Sequence, residues 1–269
     1  MKTLSAIIIT KNEEKNIKRC LDSLDDFVDE IIVVDSKSTD RTKELCSEYS
    51  KVKFYEFPNW PGFGEQKNRA LSKASGDWII SVDADEVVTE NLKEEILSSL
   101  KTEKADCFDF TEAYYLPRLS YVCKIPVKFC GWYPDYVLRL FKKESAYFSS
   151  NLVHEHLNLK SSNIRTKRLK NHLVHYSYQS IEDLLSKTNL YSTFSAQEKR
   201  AKHKKVSFLL IIFRSVFEFF RSYFLQGGIL DGEIGLVVSV MKTEAVYYKY
   251  LKLYFLNKQQ EIPNKQRKS

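Results

Sequence analysis

The chain is short of the residues that would mark several classes of protein. It has 5 cysteines in 269 residues, an odd number, and no Cys-x-x-Cys pair. A disulfide scaffold is therefore excluded, because a chain of this length can bury a core without covalent staples. Cys20, Cys46, Cys107, Cys123 and Cys130 are expected to be small buried hydrophobes in a reducing compartment. Glycine (8) and proline (6) are scarce too, which excludes collagen-like repeats and low-complexity linkers. No uncharged apolar run reaches the roughly 18–20 residues that a membrane-spanning helix needs. The best run, Val206 to Phe213, is cut off by Lys205 and Arg214. The apolar start of the chain has no small-residue cleavage site and is interrupted by Lys11-Asn12-Glu13-Glu14, so no signal peptide is expected.

What is present suits a globular enzyme. The chain is 43% hydrophobic and 29% charged, which is ample for a core and excludes general disorder. Its net charge of +7 is unevenly spread, with 14 basic and 20 acidic side chains in residues 1–100 against 28 and 15 in the remainder. The acidic front carries no nucleic-acid footprint, whereas the basic rear suits an anionic surface.

Strand and helix alternate through the first hundred residues. LSAIIIT (Leu4–Thr10) and EIIVVDS (Glu30–Ser36) are continuous apolar runs, as expected for parallel strands covered on both faces. Glu13 to Leu24 has helical spacing, and Ser38-Thr39-Asp40 offers an N-cap for a second helix. VKFYEF, a helix from Gly64 to Ala74, a fourth strand over Asp77–Glu86 and a helix capped by Thr89 follow. This rhythm predicts an α/β fold with a doubly wound sheet that binds ligands at the carboxyl ends of its strands. After Lys104 the pattern reads as further strands, and from Ile181 as helices. Residues 1–180 are thus expected to form the core, with a nucleotide-binding half (1–104) and an acceptor-side half (105–180). Residues 181–257 are expected to form a helical region, and 258–269 an irregular tail.

Polar groups converge where the strands are expected to end: Thr10-Lys11-Asn12, Asp35-Ser36, the Trp60–Ala70 loop and Asp83-Ala84-Asp85. Two carboxylates one residue apart on a strand point to the same side and can reach one ligand together. Mg²⁺ and Mn²⁺ take such carboxylates and share themselves with substrate phosphates. Asp35 can accept from a base N–H or a ribose hydroxyl, or can simply open the turn that follows. Lys67, in the first turn of a helix, can meet phosphate or a base edge, or can be an ordinary surface lysine. His154, His156, His172 and His175 have spacings that suggest zinc, yet no cysteine lies near either pair and the carboxylates are better metal candidates.

TKNEEKNIKRCLDSL, VVDSKSTDRT, FGEQKNRAL and GDWIISVDADE, in this order, resemble the family 2 glycosyltransferases of the GT-A fold. RLFKK, FSSNLVHEHL, GGILDGEIGL and AVYYKYLKLY extend the resemblance to about residues 2–255, nearest to the bacterial lipopolysaccharide-core β-glucosyltransferase branch. One departure is Lys37, where that branch usually has glycine, at a position where positive φ would strain a side chain.

The resemblance implies a GT-A mixed sheet with a Rossmann-like nucleotide-binding half and an amphipathic helical extension. It implies that Thr10, Asn12, Asp35 and Lys67 hold uridine, that Asp83 meets the ribose, and that Asp85 binds Mn²⁺ or Mg²⁺. The implied reaction is inverting transfer of a hexose, glucose from UDP-glucose, onto a lipid-anchored oligosaccharide at the cytoplasmic face of the bacterial inner membrane. One carboxylate must act as general base, and the candidates are Glu155 first and Asp135 second.

Two other readings stay open. A nucleotidyltransferase also gathers carboxylates and a metal at strand ends, but usually opens with a glycine-rich loop that TKNEE lacks. A non-catalytic membrane-surface binding protein would use the basic rear half alone. On Val206–Leu225, Ser207, Arg214, Glu218 and Arg221 form a narrow polar stripe, and Lys160–Lys205 holds 11 Lys and Arg. That pattern fits an anionic membrane surface, and equally a helix buried against the core or a homo-oligomer contact.

Overall fold

The computed structural model describes residues 2–102, 111–149 and 156–266. The strands are β1 (Leu4–Thr10), β2 (Glu30–Asp35), β3 (Val52–Glu56), β4 (Trp78–Ser81), β5 (Glu86–Val88), β6 (Thr111–Val122), β7 (Ile125–Pro126), β8 (Asp135–Lys142), β9 (Ala146–Phe148), β10 (Leu157–Leu159), β11 (Arg165–Arg168) and β12 (Leu173–Tyr178). The helices are α1 (Ile17–Asp22), α2 (Thr42–Cys46), α3 (Phe63–Lys73), α4 (Glu90–Thr102), α5 (Ile181–Ala201), α6 (Phe208–Phe220) and α7 (Glu233–Gln266). They form two compact units, Met1–Leu119 with Pro134–His175, and Ser120–Tyr133 with Tyr176–Ser269.

The first unit is built on a mixed sheet in the order β3-β2-β1-β4-β8-β6-β12-β5. Strands β3, β2, β1 and β4 are mutually parallel, and β8 runs antiparallel to β4 and β6. The apolar runs of β1, β2 and β4 are buried almost throughout because both faces are covered. Ile8, Val33 and Ile80 share one cluster with Ile17, Leu21 and Leu24 around α1. Their neighbours Ile7, Ile32 and Ile79 face the opposite cluster with Ala70 of α3 and Ala74 just after it. From β1 the chain winds outward to β2 and β3, then returns to β4 on the other side. The carboxyl ends of β1 and β4 therefore flank a topological switch point, the usual crevice for a ligand in such sheets.

Two expectations need correction. The fourth strand ends at Ser81, so Asp83-Ala84-Asp85 lies on the turn between β4 and β5. Helix α7 runs to Gln266, through most of the segment from Lys258 that was expected to be irregular.

In the second unit, β7 pairs with the end of β6, and α7 packs against both α5 and α6. Its core joins Val122, Val127, Cys130, Leu184, Val238 and Met241. Gly235 admits a close backbone approach there, since a Cβ at that position would lie 1.8 Å from the Gly228 carbonyl oxygen. Among the described residues no helix is long and apolar enough to cross a membrane.

Candidate active site

The strand ends are tied together by side chains. Thr10 and Asp35 are register partners on β1 and β2, and the Thr10 hydroxyl donates to Asp35 Oδ2 at 2.9 Å. Ser38 donates to Asp35 twice, from its N–H at 2.7 Å and its hydroxyl at 2.5 Å. Asp35 is thus buried and orders the turn after β2. Lys37 does adopt the left-handed conformation, with φ 61°. These bonds hold it there against a cost of about 1 kcal/mol for a residue with a Cβ. Asn12 closes the other side, its N–H on the Ser38 hydroxyl at 2.7 Å and its Oδ1 accepting from the Thr39 N–H at 2.8 Å.

Helix α3 bridges from β2 to β4. Gly62, at φ 110°, turns the chain into it, and its first turn buries Gln66 and Lys67. Gln66 Nε2 donates to the Ser36 hydroxyl at 2.8 Å, and Lys67 Nζ lies 2.8 Å from Asp83 Oδ1. Lys67 is therefore no surface lysine; it is 4% exposed.

Asp83 opens a chain of alternating charges. Arg139 on β8 donates from Nη2 to both Asp83 Oδ2 and, at 2.8 Å, Glu86 Oε1. Glu86 is fully buried, and its other oxygen accepts the Asp83 backbone N–H at 2.9 Å. Arg118 on β6 reaches Glu86 Oε1 at 3.4 Å and donates twice to Asp135 Oδ2, at 3.0 and 2.6 Å. Three cations and three carboxylates thus alternate as Lys67, Asp83, Arg139, Glu86, Arg118 and Asp135. Such compensation makes buried charges tolerable. Burial pushes the Asp83 carboxyl upward, but Arg139 and then Lys67 outweigh it and hold it well below the usual carboxylate range.

Asp85 turns elsewhere. Its Oδ2 lies 3.3 Å from His175 Nε2 on β12, and both side chains are partly exposed. The two aspartates lie on a turn and hold different partners, Lys67 and Arg139 for Asp83 and His175 for Asp85. Among the described residues, no three His, Cys, Asp or Glu side chains gather as a complete metal site. A carboxylate and an imidazole 3.3 Å apart at a ligand crevice nevertheless fit a divalent cation whose other positions come from a diphosphate.

Cys20 lies behind this turn, its Sγ 3.6 Å from the Asp83 carbonyl oxygen. Burial pushes its thiol far up, and Glu86, Asp85 and Asp83 add to the shift, so it offers no thiolate.

Thr10, Asn12, Asp35, Lys67 and Asp83 are therefore linked around the strand ends, and Asp135 joins them through Arg118, Glu86 and Arg139. The direct partner of Asp135 is Arg118. Glu155 and His154 lie outside the described residues. Glu86, Arg118, Arg139 and His175 were not recognised as site residues from the sequence. From the sequence, His175 stands out only beside His172, as half of a zinc-spaced pair.

Residues 5–119 match the family described as glycosyl transferase family 2. An uncharacterized glycosyltransferase of Rickettsia typhi is 30% identical over 266 residues, spanning 94% of this chain and 87% of its own length. The chain belongs to glycosyltransferase family 2. The glycosyltransferase is also 28% identical over 263 residues to the lipopolysaccharide core biosynthesis glycosyltransferase LpsC of Rhizobium meliloti, covering 92% of this chain and 93% of LpsC. Among solved structures it is similar to S. aureus TarS 1–349 (TM-score 0.45, 18% identity, 96% of this chain and 92% of that chain). It is also similar to glucosyl-3-phosphoglycerate synthase from Mycobacterium tuberculosis in complex with Mn²⁺ and UDP-glucose (TM-score 0.36, 26% identity, 45% of this chain and 44% of that chain). As a family member, the glycosyltransferase uses a nucleotide-sugar donor and a glycan acceptor, and its mixed sheet with helices is the GT-A fold expected for it.

Proposed function

We propose that this glycosyltransferase is metal-dependent and inverting, and that it moves glucose from UDP-glucose to a lipid-anchored oligosaccharide such as lipopolysaccharide core. The observation that carries the reading is the linked set of polar groups at the carboxyl ends of β1, β2 and β4, where the strand order reverses. The similarity to LpsC supports the acceptor class. Its place would be the cytoplasmic face of the inner membrane, against an anionic lipid surface.

In this reading Thr10, Asn12 and the ordered turn at Asp35 receive the uridine, and Asp83 meets the ribose. Lys67 and Arg139 are fixed cations beside the diphosphate. Fixed positive charge aimed at a leaving group is worth most when it needs no reorganisation. Asp85 and His175 would hold Mn²⁺ or Mg²⁺, which supplies Lewis-acid neutralisation of the departing UDP charge. The general base takes the acceptor hydroxyl proton as the new C–O bond forms on the sugar face opposite the leaving diphosphate. Glu155 is the first candidate for that role. Asp135 is the second, because both Arg118 bonds fall on its Oδ2.

Donor specificity is tested by thermal shift with Mn²⁺ across UDP- and GDP-sugars, followed by UDP release from the best donor without acceptor. The reading expects UDP-glucose to stabilise most and to release UDP slowly. Stabilisation by a GDP-sugar instead, or release of pyrophosphate from a nucleoside triphosphate, would replace it with another donor or with a nucleotidyltransferase.

A further inference from the structure

Helix α6 is inside-out for a protein in water. Its inward positions are Ile211, Ser215 and, in the π-helical turn Arg221–Leu225 that continues it, Ser222. Glu218 lies on the same inward stripe, its carboxylate 2.8 Å from Arg221 and 3.3 Å from Lys242. The outward stripe is Leu209, Phe213, Phe217, Phe220, Phe224 and Leu225, spaced by three or four residues until the final Leu225. Leu209 is 81% exposed, Phe213 67% and Leu225 77%. Scattered exposed leucines are ordinary, but a continuous apolar stripe of this length marks a surface that something covers.

The charges say what covers it. Glu218 is the one acid between Phe208 and Leu225, and it is turned inward onto two cations. On this stretch Arg214 is exposed against Tyr250 and Arg221 is exposed with its guanidinium on Glu218; just before the Ser207 N-cap Lys204 and Lys205 stand exposed, with Lys202 paired to Glu198 at 2.5 Å. An apolar aromatic stripe with no outward acid between Phe208 and Leu225, and an excess of cations just before it, complements anionic headgroups above an acyl layer. A second copy fits worse, because a symmetric dimer sets the patch against itself and this stretch has no outward acid to meet its cations.

We propose that α6 and the turn after it lie in the interface of an anionic bilayer, with the Phe and Leu stripe in the acyl boundary and Lys202–Lys205 on the headgroup phosphates. The proposal deepens the lipid-anchored-acceptor reading, and rests on it for its biological purpose.

The test is co-sedimentation of the full-length protein with vesicles of phosphatidylcholine alone or mixed with phosphatidylglycerol. The protein should pellet with the mixed vesicles and bind neutral ones at least about tenfold more weakly. Phe213→Asp with Phe217→Asp, both at exposed positions, should abolish pelleting; Lys202→Gln, Lys204→Gln and Lys205→Gln together should weaken it only for the anionic vesicles. A wild-type protein that stays in the supernatant with both vesicle types, with or without forming a dimer, overturns the proposal, as does full binding by the double aspartate variant. UDP release from UDP-glucose, measured on the same variants without vesicles, should be unchanged. If wild type pellets but releases no UDP, the donor reading fails and the lipid surface stands; the reverse result sinks the lipid surface alone.

Discussion

Glu86 and Arg139 meet at 2.8 Å in the interior, and this pair stands behind Asp83 in the proposed donor site. Glu86 is fully buried and carries the Asp83 N–H and two guanidinium groups, so its negative charge is matched by more than one partner. Glu86→Gln keeps the shape but leaves Arg118 and Arg139 undercompensated. The expected loss is about 3 kcal/mol of stability, the usual scale for breaking a buried pair from one side. Adding Arg118→Met should recover part of it, because the excess cation then disappears. Urea denaturation of the single and double variants measures this, and strict additivity would mean that the network is not coupled.

The base is tested by Glu155→Gln and Asp135→Asn. Glu155→Gln should bind UDP-glucose normally and lower turnover with acceptor by about 10²-fold or more, the scale of general base catalysis. Asp135→Asn should lose less. A near-normal rate for the first with a large loss for the second would exchange the two roles.

Glu30 gives an acid limb to stability. Burial raises its carboxyl, but the Lys53 ammonium at 2.6 Å, the Ser5 hydroxyl and the Ser75 N–H and hydroxyl hold it down at about 2, from an ordinary 4.5. A depressed folded-state value means that the stabilisation is complete above about pH 4.5 and disappears as pH falls toward 2. Its full size is about 3 kcal/mol. Between pH 7 and pH 3, wild type should therefore lose about 2 kcal/mol more than Glu30→Gln. Urea melts at the two pH values decide it, and parallel losses would remove the assignment.

The front of the fold was legible because β1 and β2 are unbroken apolar runs that end in polar residues, which places Thr10 and Asp35 at a sheet edge. Lys67 was legible as a position, through the glycines before it, but not as a buried cation. Its carboxylate partner arrives from a different loop. The turn at Asp83 was misread because no Gly, Pro or Asn interrupts Ser81 to Glu86, so strand alternation seemed to continue. Glu86 and Arg139 are 53 residues apart, and His175 is farther still from Asp85; such pairs come from antiparallel additions to the sheet that local patterns do not encode. For α6, periodicity gave two faces without saying which turns inward. Burial of Ser215 and Ser222 reverses the usual choice.

In the proposed reaction Asp85, with His175 beside it, anchors a cation that holds the donor diphosphate. Calorimetric titration of UDP into wild type and Asp85→Ala, with Mn²⁺ and with EDTA, tests it most directly. Wild type should bind UDP at least about tenfold more tightly with Mn²⁺, and Asp85→Ala should bind equally weakly in both conditions. Unchanged, Mn²⁺-enhanced UDP binding by the folded Asp85→Ala protein would contradict the claim.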